Sequence, residues 1–405
     1  MQIHKFDLVI NGGGIVGLAL ACGAIKNNLR TLVIEQKEFF TSLHSSKIRV
    51  SAINTASSLL LKYLQVWNDL LSKGANPYHQ IEVWDKDSFG KITFDCGNVG
   101  YQQLGYIIEN NVIKQAMLDN ISKMNHCKLL TSASLRDIVW GNKEVLMTLD
   151  NDQKITSKLV VAADGANSWL RNYADIPLTF WDQKHSALLA TISTELPHEG
   201  IARQIFHGNG VLALLPLVDK HLNAIVWSMN SDLAQQLLVT SEVNFNAILA
   251  KSYDLALGLC TLKDERNIVP IRASYARNFV ANRLVLIGDA AHTMHPLAGQ
   301  GVNLGLMDTA ELLSQINQLN KVGKDIGSYL SLRRYERNRK YKVAQMLTGI
   351  QVVRGLFDGN NPFKKLLRGI GLQLVDTSPS IKQLFINKAM GLNDMPSWLL
   401  FNDVS

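Results

Sequence analysis

The stretch that decides the fold is Gly12-Gly13-Gly14-Ile15-Val16-Gly17, which matches the pattern G-x-G-x-x-G. It follows Phe6-Asp7-Leu8-Val9-Ile10, a run typical of a β-strand, and it opens a segment typical of a helix. The first glycine, Gly12, permits a tight turn, and Gly14 lets a pyrophosphate approach the backbone. The third, Gly17, allows close packing of helix on strand. The stretch therefore predicts a site for a dinucleotide.

A second strand, Thr31-Leu32-Val33-Ile34, ends at Glu35. A carboxylate in this position suits the hydroxyl pair of a ribose and disfavours a 2′-phosphate. The start of the intervening helix offers free N–H groups and a partial positive charge to a phosphate. Residues 1 to 36 thus predict a βαβ dinucleotide unit, without choosing between NAD and FAD.

Two later stretches also place an acid at the end of an apolar strand. The first is Asp164-Gly165-Ala166-Asn167-Ser168-Trp169-Leu170-Arg171. The second is Gly288-Asp289-Ala290-Ala291-His292, followed by His295 to Asn303 (HPLAGQGVN). The acid of the second stretch can hold ribose or ribityl hydroxyls, and the helix that follows can stabilise negative charge. Turn chemistry explains either stretch alone, but three such loops in this order point to one extended cofactor.

Length and composition bound the class of protein. The chain has 405 residues, of which 47% are hydrophobic and 19% charged, as in a globular protein with one large domain or two interlocked ones. No apolar run approaches the roughly 20 residues of a membrane-spanning helix, and no signal-peptide pattern precedes the first strand. We therefore expect a cytoplasmic protein. The four cysteines are scattered and no metal-ligand spacing occurs, so we expect buried or incidental thiols and no metal.

The formal net charge is +7, and much of the excess lies late in the chain. A solvated helix face explains such a cluster, and attraction to an anionic membrane surface is the alternative. No nucleic-acid-binding motif accompanies the charge, so we expect no nucleic-acid partner. The basic cluster comprises Arg333, Arg334, Arg337, Arg339, Lys340 and Lys342, with Lys364, Lys365 and Arg368 behind them.

Together the three loops resemble those of the group A flavin monooxygenases, the family of p-hydroxybenzoate hydroxylase. In that family the glycine loop and strand-end acid bind the ADP half of FAD. The Asp-Gly stretch lies near the pyrophosphate and is implicated in NADPH contact, and the Gly-Asp stretch holds the ribityl chain beside the flavin ring. Arg49 matches a family arginine near the flavin, whereas Asn110 stands where many relatives have Arg or Gln. The resemblance implies these cofactor-binding residues: Gly12, Gly14, Gly17, Glu35, Arg49, Asn110, Asp164, Arg171, Asp289, Pro296, Gly299, Gln300, Gly301, Val302 and Asn303.

The fold that follows is α/β, with a Rossmann-like FAD-binding domain, an inserted antiparallel-sheet substrate domain and a helical C-terminal tail. Alternating polar and apolar residues predict the inserted sheet. The predicted boundaries are 1–72, 100–183 and 273–330 for the FAD-binding domain, 73–99 and 184–272 for the substrate domain, and 331–405 for the C-terminal helical region.

Longer matches resemble the ubiquinone-biosynthesis hydroxylase subfamily, in particular its 2-polyprenylphenol hydroxylases. They include His292 to Gly305 (HTMHPLAGQGVNLG), Glu82 to Gly90 (EVWDKDSFG) and Ala389 to Trp398 (AMGLNDMPSW). The last two lie outside the cofactor motifs, so FAD binding does not require them. The resemblance implies hydroxylation of 2-polyprenylphenol at ring C5 by a flavin C4a-hydroperoxide, with O2 as co-substrate and NAD(P)H as a transient reductant.

The resemblance leaves the catalytic residues open, because the flavin does the hard chemistry. His292, His295 and Pro296 are the candidates in the flavin loop, although loop packing is the plain role of both histidines. The chain has no second G-x-G-x-x-G, which agrees with transient NAD(P)H binding.

A long prenyl tail needs an apolar channel. Leu212, Leu214 and Leu215 are candidates to line it, with ordinary core packing as the simpler interpretation.

Three other functions stay open from sequence. They are a flavin oxidase of the amine-oxidase type, a sister hydroxylase acting at another ring position, and a non-catalytic scaffold or lipid-carrying subunit of a quinone-synthesis assembly. Intact flavin motifs argue against the scaffold. As partners we expect the polyprenylphenol, O2 and other ubiquinone-biosynthesis proteins. Peripheral membrane association and a homo-oligomer are further hypotheses.

Overall fold

The computed structural model describes residues 3–39, 49–208, 210–294, 300–357 and 362–402. In chain order the strands are β1 (His4–Asn11), β2 (Thr31–Ile34), β3 (Val50–Asn54), β4 (Asn76–Tyr78), β5 (Gln80–Asp85), β6 (Lys91–Asp95), β7 (Gly105–Glu109), β8 (Cys127–Leu130), β9 (Leu135–Trp140), β10 (Val145–Leu149), β11 (Lys154–Ala162), β12 (Leu178–Thr194), β13 (Ile201–His207), β14 (Gly210–Pro216), β15 (Leu222–Asn230), β16 (Cys260–Leu262), β17 (Asn267–Ala276), β18 (Val280–Ala281), β19 (Leu284–Leu286) and β20 (His292–Thr293). The α-helices are α1 (Ile15–Lys26), α2 (Thr55–Tyr63), α3 (Trp67–Ser72), α4 (Asn110–Ser122), α5 (Trp169–Tyr173), α6 (Ser231–Val239), α7 (Glu242–Ser252), α8 (Gln300–Lys321), α9 (Tyr329–Phe357), α10 (Pro362–Thr377) and α11 (Pro379–Ala389).

One sheet carries the three predicted loops. Its order is β18-β19-β11-β1-β2-β8, and β19, β11, β1, β2 and β8 run parallel. Asn11 at the end of β1 pairs with both Ile34 and Ala162, and Ala162 pairs in turn with Leu286. Because parallel strands in register end at one edge, the loops after β1, β2, β11 and β19 meet there. This is the edge at which open α/β sheets bind their ligands.

The sequence explains why this sheet is parallel and central. β2 and β19 are short apolar strands whose residues are all buried, as expected when helices cover both faces of a sheet. α1 packs against α4 and α8, and all of them contribute to one large hydrophobic core.

The second sheet has the order β20-β17-β12-β15-β14-β13-β5-β6, with β16 paired to β12. Its pairs are antiparallel except β13 with β5, so the alternating sequence pattern is confirmed as a second sheet. The predicted boundaries at 183 and 272 fall inside β12 and β17, which therefore run through both predicted regions. The pairing of these strands shifts register between Asp182 and His185, close to the predicted boundary.

The C-terminal region is helical as predicted, and α10 packs on β5 and β6 of the second sheet. A buried ion pair joins Arg368 Nε to Asp85 Oδ2 at 2.9 Å, with both side chains inaccessible to solvent. Arg339 is also buried, 2.7 Å from Asp308. Interpreting the basic cluster as a solvated face is therefore wrong for these two arginines, since each lies on the inward face of its helix. Among the described residues, no helix combines the length and the apolarity that a membrane crossing needs.

Candidate active site

The glycine loop after β1 shows which of its glycines serve packing and which leaves room for a ligand. Gly12 has φ +115°, and a Cβ there would lie 2.3 Å from the carbonyl oxygen of Ala163. A Cβ on Gly17 would lie 2.1 Å from the carbonyl oxygen of Gly12. Gly14, the residue before α1, has no other atom within 4 Å of its Cβ position. Gly14 is thus the point at which a phosphate can reach the backbone.

Glu35 lies beside that loop. Its Oε2 accepts a hydrogen bond of 2.7 Å from the Gly13 N–H, and its Oε1 accepts one of 3.1 Å from the Lys37 N–H. A carboxylate has about four acceptor sites, so both oxygens keep capacity for further donors. The position fits hydroxyl recognition next to a bound phosphate.

The loop after β11 contains a partly buried acid, Asp164, with spare capacity to accept hydrogen bonds. Asp164 Oδ2 accepts from Asn11 Nδ2 at 2.9 Å and from the Leu170 N–H at 3.1 Å. Its Oδ1 is buried and has no hydrogen-bond partner within the described part of the chain. Burial raises the pKa of Asp164. The Ser168 side chain and the two donors named above oppose this rise. The free capacity of Oδ1 suits a further donor from a ligand, because buried polar atoms are normally hydrogen-bonded.

Arg171 joins two of the loops from behind. Its side chain is buried, and Nη1 donates to the carbonyls of Ala166 at 3.1 Å and Ala290 at 3.0 Å. These bonds tie the loop after β11 to the loop after β19. The cofactor contact implied for Arg171 stays a prediction, whereas its role in holding the loops is visible.

The loop after β19 directs Asp289 into a cavity. The side chain is exposed within that cavity, yet protein surrounds it on the remaining sides. This burial raises the pKa of Asp289 above its ordinary value of 3.8, with His292 opposing the shift and Asp308 adding to it. A carboxylate in this setting gains from hydroxyl donors, because they compensate the desolvation of its charge.

Asp289→Asn is expected to weaken FAD binding by about tenfold, the value of one hydrogen bond to a charged acceptor. The wild-type affinity should rise with pH through the raised pKa of Asp289, since only the ionised form accepts every donor. FAD titrations followed by flavin fluorescence between weakly acidic and neutral pH measure both effects. If Asn at this position leaves the pH dependence unchanged, the assignment of this acid is wrong.

A buried network supports the same loop. Asp308, inside α8, accepts from the Gly288 N–H at 2.8 Å, from His292 Nε2 at 2.7 Å and from Arg339 Nε at 2.7 Å. The histidine side chain is only 2% exposed. The geometry therefore gives His292 the packing role rather than a catalytic one. His295, Pro296 and Gly299 lie outside the described residues.

The start of α8 borders the cavity. Gly301 and Val302 line it, and a Cβ on Gly301 would meet no atom within 4 Å. Asn303 faces the other way, where its amide donates to the Ala52 carbonyl at 2.7 Å and accepts from the Asn54 N–H at 3.0 Å. Asn303 thus fastens α8 to β3. Gln300 begins the helix.

Arg49 and Asn110 complete this end of the cavity. The Arg49 carbonyl accepts from the Asn110 N–H at 2.8 Å, and Asn110 Oδ1 accepts from the Ser51 hydroxyl at 2.6 Å. Both side chains line the cavity. The structure therefore places Arg49 and Asn110, both predicted to bind the cofactor, on the same wall of the cavity.

The cavity has a volume of ≈ 710 Å³ and extends from the loops to the inner face of the second sheet. That size is typical of small-molecule sites. Its far wall is made of small and aliphatic side chains from the second sheet, among them Ala187, Leu189, Ala190, Ala202, Ala213, Leu215, Ala224 and Val226.

Of the three leucines predicted to line a prenyl channel, only Leu215 lies on the cavity wall, and the channel itself stays a prediction. Leu215 lines the cavity together with Ala213, but Leu212 and Leu214 are fully buried in a separate core on the opposite face of the sheet. Side chains alternate between faces along β14, so residues 212 and 214 cannot share the face of 213 and 215.

Two cations of the cavity wall lie outside every sequence motif described above. Arg203 and Arg272 both line it. Arg203 is mostly buried, and its Nε lies 3.3 Å from Glu82 Oε2. Burial lowers the pKa of Arg203, although the Glu82 charge opposes the shift. A single charged residue within an alternating strand gives no signal by which to distinguish a cavity wall from a solvated face.

The comparison with protein families agrees with this geometry. The family model described as FAD binding domain matches residues 5–349. The chain belongs to this FAD-binding family. The 3-demethoxyubiquinol 3-hydroxylase of Escherichia coli is 32% identical over 394 residues, covering 97% of this chain and all of that protein. The mitochondrial ubiquinone biosynthesis monooxygenase COQ6 of Dictyostelium discoideum is 30% identical, covering 95% of this chain and 91% of that protein.

Solved structures support the fold. The p-nitrophenol 4-monooxygenase PnpA from Pseudomonas putida superposes with a TM-score of 0.80 at 16% identity, covering 97% of this chain and 99% of that one. The fold is therefore that of the p-hydroxybenzoate hydroxylase-like monooxygenases, as predicted. The protein is an FAD-dependent monooxygenase.

The residues at the sheet edge fit FAD. Gly14 leaves open space at a helix start, and Asp164 offers a buried oxygen without a partner. Glu35 and Asp289 supply acceptors on either side of these two residues, as an elongated molecule with two hydroxyl-bearing halves requires. When bound, FAD supplies the reaction of its reduced ring with O2.

Proposed function

We propose that this monooxygenase hydroxylates 2-polyprenylphenol at ring C5 in ubiquinone biosynthesis, with NAD(P)H as reductant. The observation that carries the proposal is the cavity, which has Asp289 and Gly301 at its cofactor end and aliphatic side chains along its sheet wall. A phenol with an apolar chain matches this division. Two relatives of similar length carry names from ubiquinone biosynthesis, which supports the pathway.

The chain's own residues have three tasks in this reaction. The sheet wall, including Ala213 and Leu215, binds the apolar part of the substrate and excludes water from the ring. The loops after β1, β11 and β19 hold the cofactor. Arg272 adds a positive charge to the cavity wall, which favours an electron-rich phenolate over the neutral phenol.

A second ring position has specific support. The Escherichia coli relative is named as a 3-hydroxylase of demethoxyubiquinol, and its match covers its full length. Hydroxylation of a later, more substituted ring by this chain is therefore the alternative.

The decisive experiment is product analysis. Purified protein loaded with FAD is mixed with NADPH, O2 and a short-chain 2-prenylphenol, and the product is identified by mass and NMR. A hydroxyl at C5 supports the proposal. Oxidation only of demethoxyubiquinol-type rings supports the alternative, and NADPH oxidation without any hydroxylated product contradicts both.

Ala213→Trp is expected to lower turnover of a prenylphenol by roughly tenfold to a hundredfold, because the indole fills the cavity and displaces the ring from the cofactor. FAD content should stay unchanged, since Ala213 lies on the sheet wall and not on the cofactor loops. Steady-state rates of product formation measure the effect. Val239→Trp on exposed α6 is the matched control and should turn over normally. Equal rates in both variants would show that the substrate binds elsewhere.

A further inference from the structure

The C-terminal helices expose a set of apolar side chains to solvent, of which Phe385 also contacts Phe94 of β6. Each is between 36% and 67% exposed, and α10, which carries four of them, packs against both α9 and α11. Soluble monomers rarely leave adjoining apolar side chains in such number without a partner. The C-terminal patch comprises Val352, Val353 and Leu356 of α9, Leu366, Leu367, Ile370 and Leu374 of α10, and Ile381, Leu384 and Phe385 of α11.

The contacts that hold α10 on the protein are made by its inward face. Arg368 pairs with Asp85 in the interior, and Leu372 packs beside Phe206. A Cβ on Gly369 would lie 2.7 Å from the ring of Phe89, so that turn touches the β5–β6 hairpin. The helix is therefore anchored on one side and apolar on the other, as in helices that lie in a membrane interface.

The charge around the C-terminal patch is positive. Between positions 351 and 390 the chain has six basic and two acidic residues. Arg368 is buried against Asp85 and adds no surface charge, so five basic residues remain against two acidic ones. Lys388 is exposed and Lys365 is partly exposed, whereas Asp376 is paired with Lys382 at 2.7 Å. Lysines at the margin of an apolar surface extend their charge to anionic headgroups while their stems contact the acyl region.

We propose that the C-terminal patch docks the protein on the surface of an anionic lipid bilayer, with α10 and α11 lying in the interface. Its composition favours lipid over a protein partner. Nine of its ten side chains are Leu, Ile or Val, and lysines flank them. Protein interfaces are instead enriched in Tyr, Trp and Arg and depleted of Lys.

The inner side of α11 connects the patch to the cavity. Ile386 and Met390 are buried in one apolar cluster with Tyr78, Ile107 and Ala202, which line the cavity. A docked α11 thus lies between the bilayer and the substrate site. Delivery of a prenyl chain by this route rests on the proposed function, whereas docking itself does not.

The arginines of the basic cluster serve as an internal control. Arg333 and Arg334 lie near the start of α9, and Arg334 donates to Gln318 of α8. At 1.5 Å per residue they are about 30 Å along the helix from Val353. Docking through the C-terminal patch does not require them.

The test is co-sedimentation of FAD-loaded protein with vesicles of phosphatidylcholine and phosphatidylglycerol. Replacing Leu366, Leu367 and Leu374 together with serine is expected to weaken partitioning by about tenfold or more. Wild-type protein should bind vesicles that contain phosphatidylglycerol more tightly than vesicles of pure phosphatidylcholine. The double variant Lys365→Gln with Lys388→Gln should lose this preference.

Two matched variants complete the test. Val239→Ser with Val243→Ser changes exposed aliphatic side chains elsewhere and should bind as wild type does. Arg333→Gln with Arg334→Gln should also bind normally.

Three outcomes would overturn the proposal: no sedimentation of the wild type, unchanged binding of the triple serine variant, or self-association through the patch without vesicle binding. Hydroxylation of a detergent-dispersed prenylphenol does not require membrane docking. A lack of hydroxylation in detergent would therefore contradict the proposed function and leave the docking proposal intact. Thermal unfolding of each variant verifies that the exposed substitutions leave the fold intact.

Discussion

Alanine at Gly14 is expected to weaken FAD binding by roughly tenfold to a hundredfold, because overpacking a close contact costs about 1–3 kcal/mol. The stability of the FAD-free protein should not fall. Gly14 has φ −74° and ψ 177°, which alanine adopts without strain, and its Cβ would meet no other protein atom within 4 Å. Only the pyrophosphate competes for that space. Flavin fluorescence titration measures the affinity, and urea unfolding measures the stability of the apoprotein.

Gly12→Ala is the matched comparison and should behave differently. Its φ of +115° is strained for alanine, and its Cβ would overlap the Ala163 carbonyl at 2.3 Å. We expect a loss of about 3 kcal/mol or more in the free energy of unfolding of the apoprotein. Equal stability losses in the two variants, or normal FAD affinity in Gly14→Ala, would contradict the different roles given to the two glycines.

The residues at the cofactor-binding edge of the first sheet could be predicted from the sequence for a physical reason. Gly12, Glu35, Asp164 and Asp289 each follow a buried strand, and parallel strands in register end together. Local motifs on such strands are therefore brought to one edge by the fold itself. Their contacts with FAD stay predictions, whereas their proximity is visible.

The remainder of the site depends on contacts that no local pattern reports. Asp308 and Arg339 are 31 positions apart and meet only because α8 and α9 pack together. The alternation of side chains along β14 predicts that residues 212 and 214 lie on the opposite face of the sheet from residue 215. It does not predict which of the two faces borders a cavity. The same limit applies to Arg171, whose partner carbonyl at Ala290 lies on another loop.

Arg339→Met is expected to lower the free energy of unfolding by about 3–5 kcal/mol, because it leaves Asp308 charged and incompletely paired in the interior. Asp308 is 0% exposed, and Arg339 also donates to the Leu304 carbonyl at 3.1 Å. The Gly288 N–H and His292 both depend on the same carboxylate, so the loop that carries Asp289 should loosen and FAD content should fall. Urea unfolding and the ratio of flavin to protein absorbance measure the two effects.

The hydrogen-bond network around Asp308 also predicts how the free energy of unfolding changes at acid pH. Burial by itself raises the pKa of Asp308, but His292 and Arg339 outweigh it and bring the pKa below its ordinary value of 3.8. The carboxylate therefore contributes its full stabilisation above the unfolded pKa of about 3.9, and loses it as pH falls through the lower folded value. Without Arg339 the folded pKa rises, so the variant should lose stability at a higher pH than wild type.

Arg333→Met separates this effect from the loss of any arginine on α9. Arg333 is largely exposed and lies 3.7 Å from Glu336 on the same helix, so its removal should change stability by no more than about 0.5 kcal/mol. Asp308→Asn combined with Arg339→Met removes both charges and should recover part of the stability, because a neutral pair costs less to bury. If Arg339→Met unfolds at the wild-type urea concentration and keeps its flavin, the loop of Asp289 is held by its backbone pairing alone.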